Sequence, residues 1–310
     1  MSSSVAPLQL ESLTTTVSRS PLQSVLRRLV RHRSAQVGFF ILGFFIFIAV
    51  FASALAPHSP IAVLKNVKAR AAPCIHFLGC PTDQPQHFFG IDGNRRDQLS
   101  RIIYGSRLSL EIGIVTVSFA IIIGAALGAV SGFAGGWTDN IIMRLMDVLL
   151  AFPGLLLAIA IVAVLGPGLL NALLAIGFVS VPVYARTVRA SVLQVKEQDF
   201  VSASRALGSS PLGILMGHVL PNALTPLIVQ ATLGIASAIL SAAALSFLGL
   251  GAAPPTPEWG LMLGEERNSV FNAPHLVFIP GFAIMLTVLA FNLLGDGLRD
   301  ALDPRLSNVG

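Results

Sequence analysis

The stretch RTVRASVLQVKEQDFVSASRALGSSPLGILMGHVLP, residues 186–221, interrupts two long apolar runs with polar residues and turn formers. Its punctuation predicts two short helices joined by a sharp turn. Gly208 follows Leu207 and can take the left-handed conformation that closes a helix C-terminus. Ser209 or Ser210 can cap the next helix. Pro211 then suits its first turn, where a missing N–H has no helical partner. The pattern is a compact helix–Gly–helix hook set between two apolar runs.

The chain outside this hook is built for lipid. Hydrophobic residues make up 54% of it, charged residues only 11%, and the mean hydropathy is +0.78. Soluble domains carry about 25% charged residues, so this chain lacks the charge to cover a water-facing surface. The formal net charge of +5 does not point to nucleic acid, because the basic residues flank apolar runs. Arg19, Arg27, Arg28, Arg31 and Arg33 directly precede the first such run, as a cytoplasmic flank does under the positive-inside rule.

Charge-free intervals count the spans. No Asp, Glu, Lys or Arg occurs between Arg33 and Lys65, Glu111 and Asp139, Asp147 and Arg186, Arg205 and Glu258, or Arg267 and Asp296. With about 20 apolar residues per crossing, these intervals predict six transmembrane helices near 36–56, 108–131, 139–165, 169–186, 223–249 and 276–296. Gly166-Pro167-Gly168 divides the third from the fourth. Six crossings put both termini on one side, and the arginine flank with Arg186, Arg189, Lys196 and Arg205 makes that side the cytoplasm. The loop 57–107 holds seven Lys or Arg and would face outward; long loops translocate largely regardless of charge. The expected organisation is a cytoplasmic N-terminal segment 1–35, one all-α membrane domain 36–298 with a cytoplasmic loop 187–221, and a cytoplasmic tail 299–310. Residues 1–20, rich in Ser and Thr, read as disordered. The first run is too long for a signal-peptide core and reads as an uncleaved anchor.

The residues that carry enzyme chemistry are absent as motifs. The sequence contains no phosphate-binding Walker loop, no GxSxG and no HExxH, and its six histidines are scattered, His218 among them in the hook. Arg144 and Asp147 stand one turn apart and read as a local ion pair or as snorkelling groups. The centres of all six expected spans lack ionisable residues, so proton coupling has no mid-membrane relay. Cys74 and Cys80, in PCIHFLGCP, are the only cysteines. On an oxidising face they read as a disulfide, against free thiols or a non-standard metal site with His76. Gln230, Gly234, Ser237 and Ser241 recur at helical spacing on one face of the fifth span. Such a stripe serves a translocation path or close helix packing. Pro254, Pro255 and Pro257 stiffen the approach to Trp259, which reads as a docking anchor for an external protein or a member of the aromatic belt.

Four separated blocks together resemble one family, the inner-membrane permeases of ABC importers that work with a substrate-binding protein, in the peptide/nickel branch. In the hook, Ser202-Ala203-Ser204, three residues, Gly208, nine residues and His218-Val219-Leu220-Pro221 stand where that family has Glu-Ala-Ala, Gly and Ile-x-Leu-Pro. HFFGIDGNRRDQLSRIIYGSRLSL (87–110) resembles its Gly-Thr-Asp-x-x-Gly-Arg-Asp block, with Arg95 in place of Gly and a local turn expected at Gly93 instead. LSFLGLGAAPPTPEWG (245–260) and FNLLGDGLRDALDP (291–304) match closely. The resemblance runs from about residue 25 to 306 and implies a type I ABC importer permease fold with cytoplasmic coupling helices. It implies a plasma-membrane heterodimer with a second permease, two cytoplasmic ATPases and an extracytoplasmic binding protein. ATP and Mg would sit on the ATPases, with no cofactor or metal on this chain. Coupling is expected from Phe200, Ser202, Ala203, Ser204, Arg205, Gly208, Pro211 and Leu212, with Ser202 unable to supply the family carboxylate. Di- or oligopeptides are the expected cargo, with glutathione or nickel as alternatives; a secondary transporter, channel or membrane scaffold is the competing class.

Overall fold

The computed structural model describes residues 28–302. Residues 1–27, which include the Ser/Thr-rich segment 1–20, Arg19 and Arg27, and the tail from residue 303 lie outside the described residues. Among the described residues the fold is helical, with nine principal helices: α1 (Arg33–Val50), α2 (Gln98–Ala134), α3 (Gly136–Leu150), α4 (Gly154–Leu165), α5 (Leu169–Val195), α6 (Asp199–Ala206), α7 (Thr225–Phe247), α8 (Trp259–Glu266) and α9 (His275–Leu302). Five of them, α1, α2, α5, α7 and α9, are long and apolar enough to cross a membrane, and the bent pair α3–α4 makes up to six.

That bend corrects the expected third span. Residues 139–165 do not form one helix, because α3 and α4 meet at 91°. Pro153 supplies no N–H to the ladder, and its ring disfavours helical geometry at Phe152. The Gly166-Pro167-Gly168 break stands where the sequence placed it, with Gly166 at φ 89° and Gly168 at φ 150°. α5 runs to Val195 rather than ending near residue 186. Val188 and Val192 are fully buried in the core, so packing carries the helix past its first charged residues. Arg186, Arg189 and the adjacent Lys196 therefore belong to α5 and its end, not to the hook.

Among the described residues α2 and α5 form the most extensively packed pair. Gly124, Gly128 and Gly132 recur every fourth residue on α2 and let the two backbones touch. A Cβ at Gly128 would lie 2.3 Å from the Ala185 carbonyl oxygen, and Gly132 meets the Arg189 carbonyl and Val192. Gly124 opposes Val181 and Tyr184, so facing positions rise together and the helices run parallel. α3 is pinned across their C-terminal ends. Asp139 accepts from Arg189 Nε and Nη2, and Asp147 pairs with Arg186. The expected Arg144–Asp147 pairing gives way to this cross-helix contact, because α3 turns its Asp147 edge toward α5. Lys196 Nζ donates to the Gly132 carbonyl, 2.9 Å away, at the C-terminal end of α2.

A second cluster joins α1, α7, α8 and α9 around Phe45, Ile239, Trp259, Ile284 and Phe291. α1 seats Ala35 against Gly297 and Gly38 against the Ala290 carbonyl. α9 continues to Leu302, so the expected tail from residue 299 begins as helix.

Candidate functional site

The hook is the most completely specified local structure in the chain. α6 ends in a double-bonded cap: Gly208 N–H donates to the Arg205 carbonyl at 3.0 Å and Ser209 N–H to the Ser204 carbonyl at 3.2 Å. This Schellman arrangement requires a left-handed residue after the helix, and Gly208 supplies it at φ 84°. Ser204 Oγ and Ser209 Oγ, 2.9 Å apart, brace the same turn. Of the two candidate serines, Ser210 is the cap, accepting from Gly213 N–H at 3.2 Å, with Pro211 at the first helical position. The second arm then passes through a π turn, Leu215–Val219, whose wider winding absorbs Pro221 without breaking the helix.

The hook has two faces. Val201, Ile214 and Val219 sit in the same core cluster as Val188 and Val192 of α5. The other face is open: Phe200, Leu207 and Leu212 are exposed apolar side chains, and Ser202, Ala203, Arg205 and Pro211 are exposed beside them. Ser204 is buried and holds the turn, so it serves geometry rather than contact. The arrangement is a projection with an apolar outer surface flanked by exposed Asp199 and Arg205, fused at its root to the helical core.

The polar stripe on α7 divides. Gln230, Gly234, Ser237 and Ser241 share one face, but Gly234 faces the Tyr184 hydroxyl of α5, where a Cβ would come within 1.9 Å. Gln230 lines a small cavity with Leu233, Arg299 and Leu302, and Ser237 is exposed with its hydroxyl on the Leu233 carbonyl at 3.3 Å. On the other side Ile239 is buried and Ile235 packs against Gly113, whereas Ile228 is exposed.

Trp259 is neither a docking anchor nor a belt residue. It is 0% exposed, donates from Nε1 to the Ile102 carbonyl at 3.2 Å, and packs edge-on against Phe45. The Pro254-Pro255 bond is cis. The turn there delivers Trp259 inward, where Gly105 leaves room for the indole. Glu258 caps α8 by accepting from Gly260 and Leu261 N–H, while its burial pushes the carboxyl above the usual carboxylate range.

The sequence reading missed the charged knot on the same side. Arg96 contacts Asp92 at 2.5 Å and Glu265 at 2.8 Å, and Arg101 contacts Glu265 at 3.1 Å. Arg101 also donates to the Pro255 and Thr256 carbonyls. Glu266 accepts from Arg70 at 2.9 Å and from Gly93 N–H at 2.6 Å. The knot ties the loop 57–97 to α8. It also settles the local turn: Arg95 itself takes the left-handed conformation, φ 60°, while Gly93 is needed for its close approach to Glu266. Asp97 caps α2, accepting from Ser100 N–H at 2.8 Å. Cys74 and Cys80 are joined by a disulfide, with Cα atoms 5.3 Å apart.

Comparisons with known proteins agree on one group. The model of the family described as "Binding-protein-dependent transport system inner membrane component" matches residues 120–308. One described as "N-terminal TM domain of oligopeptide transport permease C" matches residues 20–73. The dipeptide transport system permease protein DppC of Alkalihalophilus pseudofirmus is 47% identical over 93% of this chain and 91% of its own length. The di/tripeptide permease DppC of Pseudomonas aeruginosa is 46% identical over 94% of each. The glutathione transport system permease protein GsiD of Escherichia coli is 44% identical over 93% and 92%. Among solved structures, the inward-facing MetNI methionine ABC transporter shares the fold, with a TM-score of 0.54 at 19% identity, over 66% of this chain and 97% of that one.

Proposed function

This chain belongs to the family of inner-membrane components of binding-protein-dependent transport systems, and we propose that it forms, with a second permease, the path for di- or oligopeptides. It is a non-catalytic membrane subunit. The work is done by ATP hydrolysis, with Mg, on two cytoplasmic ATPases, and cargo arrives on an extracytoplasmic binding protein. The termini and the hook face the cytoplasm, the loop 57–97 faces outward, and the domain boundaries fall near residues 35 and 298.

The observation that carries this reading is the hook. Its Schellman turn and capped second arm fix two helices at a set angle, its inner face is locked to α5, and its outer face offers Phe200, Arg205 and Leu212 to a partner. A motion imposed on that face by ATPase closure is delivered as rigid-body movement to α5 and α7, the helices the hook joins. The stripe on α7 serves both roles, Gly234 for packing on Tyr184 and Ser237 for the path.

The test is uptake by the reconstituted complex in proteoliposomes, with binding protein and ATP. Labelled dipeptide should accumulate, and a Walker-motif substitution in the ATPases should abolish it. Accumulation without ATPases would overturn the assignment. Glutathione is the second reading, supported by the 44% identical glutathione permease. Uptake of glutathione in preference to dipeptide, by the same vesicles, decides for it.

A further inference from the structure

Between α1 and α2 the loop 57–97 closes a small, stiff ring. The Cys74–Cys80 disulfide seals it, the 3-10 turn His76–Leu78 forms its outer edge, and Gly79 at φ 97° turns the chain back. Cys80 N–H donates to the Ile75 carbonyl, and His76 Nε2 lies 2.8 Å from the Gln84 carbonyl oxygen. On this edge Phe77 is 95% exposed and its neighbour Leu78 is 74% exposed. Two adjacent apolar side chains held rigidly in the open mark an interaction site more readily than scattered ones do.

The root of the ring stands clear of the bilayer. α2 and α5 run parallel, with Gly124 opposite Val181–Ala185 and Gly132 opposite Arg189–Val192. That register puts the start of α5, Leu169, level with about residue 110 of α2. The last exposed charges before the apolar stretch of α2, Arg107 and Glu111, mark the same level. From there to Asp97 the helix climbs roughly 20 Å at about 1.5 Å per residue. A soluble partner reaches that height; acyl chains do not. The exposed charges of the loop are mainly basic, Lys65, Lys68 and Arg95 against Asp83, which suits an acidic protein surface.

The ring is wired to the membrane domain. Cys74 and His87 exchange backbone hydrogen bonds, both 2.9 Å, and His87 Nδ1 lies 3.3 Å from Oδ1 of Asp97, the cap of α2. A load on the ring therefore reaches the N-terminus of the helix that packs along α5, whose far end leads into the hook.

We infer that Phe77 and Leu78 form a preorganised docking knob for the soluble substrate-binding protein, inserting into an apolar pocket with an acidic rim. The inference rests on the permease assignment and its orientation. Because the disulfide orders the ring beforehand, docking loses little conformational entropy, and one aromatic anchor can carry much of the affinity.

The experiment uses the full transporter in nanodiscs and the binding protein that supports its ATP-driven uptake. The double substitution Phe77→Ser, Leu78→Ser should weaken binding at least about tenfold and leave the basal ATPase rate, without binding protein, unchanged. Unaltered affinity overturns the knob. Because the variant could also disturb the loop, p-benzoylphenylalanine at position 77 provides a second reading. Irradiation should join it to the binding protein, while the same probe at the exposed Phe40 of α1 should not. Adducts at position 77 to lipid or the second permease alone, or no adduct, overturn the inference. If the unsubstituted transporter binds no such protein at all, the permease assignment fails first, and that result is distinguishable from either.

Discussion

Arg95 holds a left-handed backbone conformation at φ 60° that L-residues with a Cβ adopt at a penalty of about 1–2 kcal/mol. It stays there because Asp92 organises the turn, its carboxylate accepting from the N–H groups of Asn94 and Arg96. Arg95→Gly should relieve most of that penalty, offset in part by the extra freedom of glycine in the unfolded chain. A modest rise in apparent Tm is the expected outcome; a fall would mean the Arg95 side chain makes a contact the exposed geometry does not show. Trp259 presents the opposite case. Pattern alone reads a tryptophan after three prolines as a surface anchor, and only the turn at Pro254-Pro255 and the space over Gly105 reveal that it points inward. Trp259→Ala should therefore lower stability by about 3–5 kcal/mol, as for a large buried aromatic. The check is thermal unfolding in nanodiscs, and a variant that melts like the parent but loses only binding-protein affinity would return Trp259 to the interface.

The helix elements were legible where local chemistry decides them. Gly208, Ser210 and Pro211 fix the hook whatever surrounds it, and Gly166-Pro167-Gly168 ends α4 in any context. Where tertiary contacts decide, the charge pattern misled: α5 outlasts Arg186 because Val188 and Val192 are buried, and α3 turns away from α4 at Pro153 to reach Arg186 and Arg189. The GxxxGxxxG row on α2 was present in the sequence but unread, and it brings α2 and α5 into backbone contact. Gly128→Leu would drive a side chain into the Ala185 backbone, so α2 and α5 must part and the complex should fail to assemble, as judged by size-exclusion profile and subunit stoichiometry. Gly208→Val is the milder change. No atom lies within 4 Å of a Cβ at that position, so the substitution meets only the left-handed penalty, about 1–2 kcal/mol. It should spare membrane insertion and permease pairing while uncoupling ATP hydrolysis from uptake or releasing the ATPases. Full ATP-coupled uptake with normal stoichiometry would remove the hook from the mechanism.

At the scale of the whole molecule, the helices α2 and α5 stand between two stiff ends, the hook below and the knot above. The lower end could be read from sequence because its glycine and caps lie within a few residues of one another. The upper end could not, because Arg96 and Arg101 meet Glu265, and Arg70 and Gly93 meet Glu266, across more than 160 residues of chain. The two ends also differ in how charge is used. Arg186 and Asp147 are both about half exposed, and such pairs contribute about 0–1 kcal/mol. Arg96 and Arg101 are almost wholly buried, with Glu265 little more exposed, and removing one partner of a buried pair typically costs about 3–5 kcal/mol. Asp92 remains beside both arginines, so the loss on Glu265→Gln should fall below that range. The expected result is a clear drop in apparent Tm for Glu265→Gln, with faster proteolysis within 57–97, set against near-parental behaviour for Arg186→Gln. If the knot is what carries a load from the ring to α2, Glu265→Gln should also reduce the stimulation of ATPase activity by binding protein while leaving the unstimulated rate intact. Equal sensitivity of the two variants, or undiminished stimulation in the first, would mean that the upper end is only a covering for the bundle and that the signal enters elsewhere.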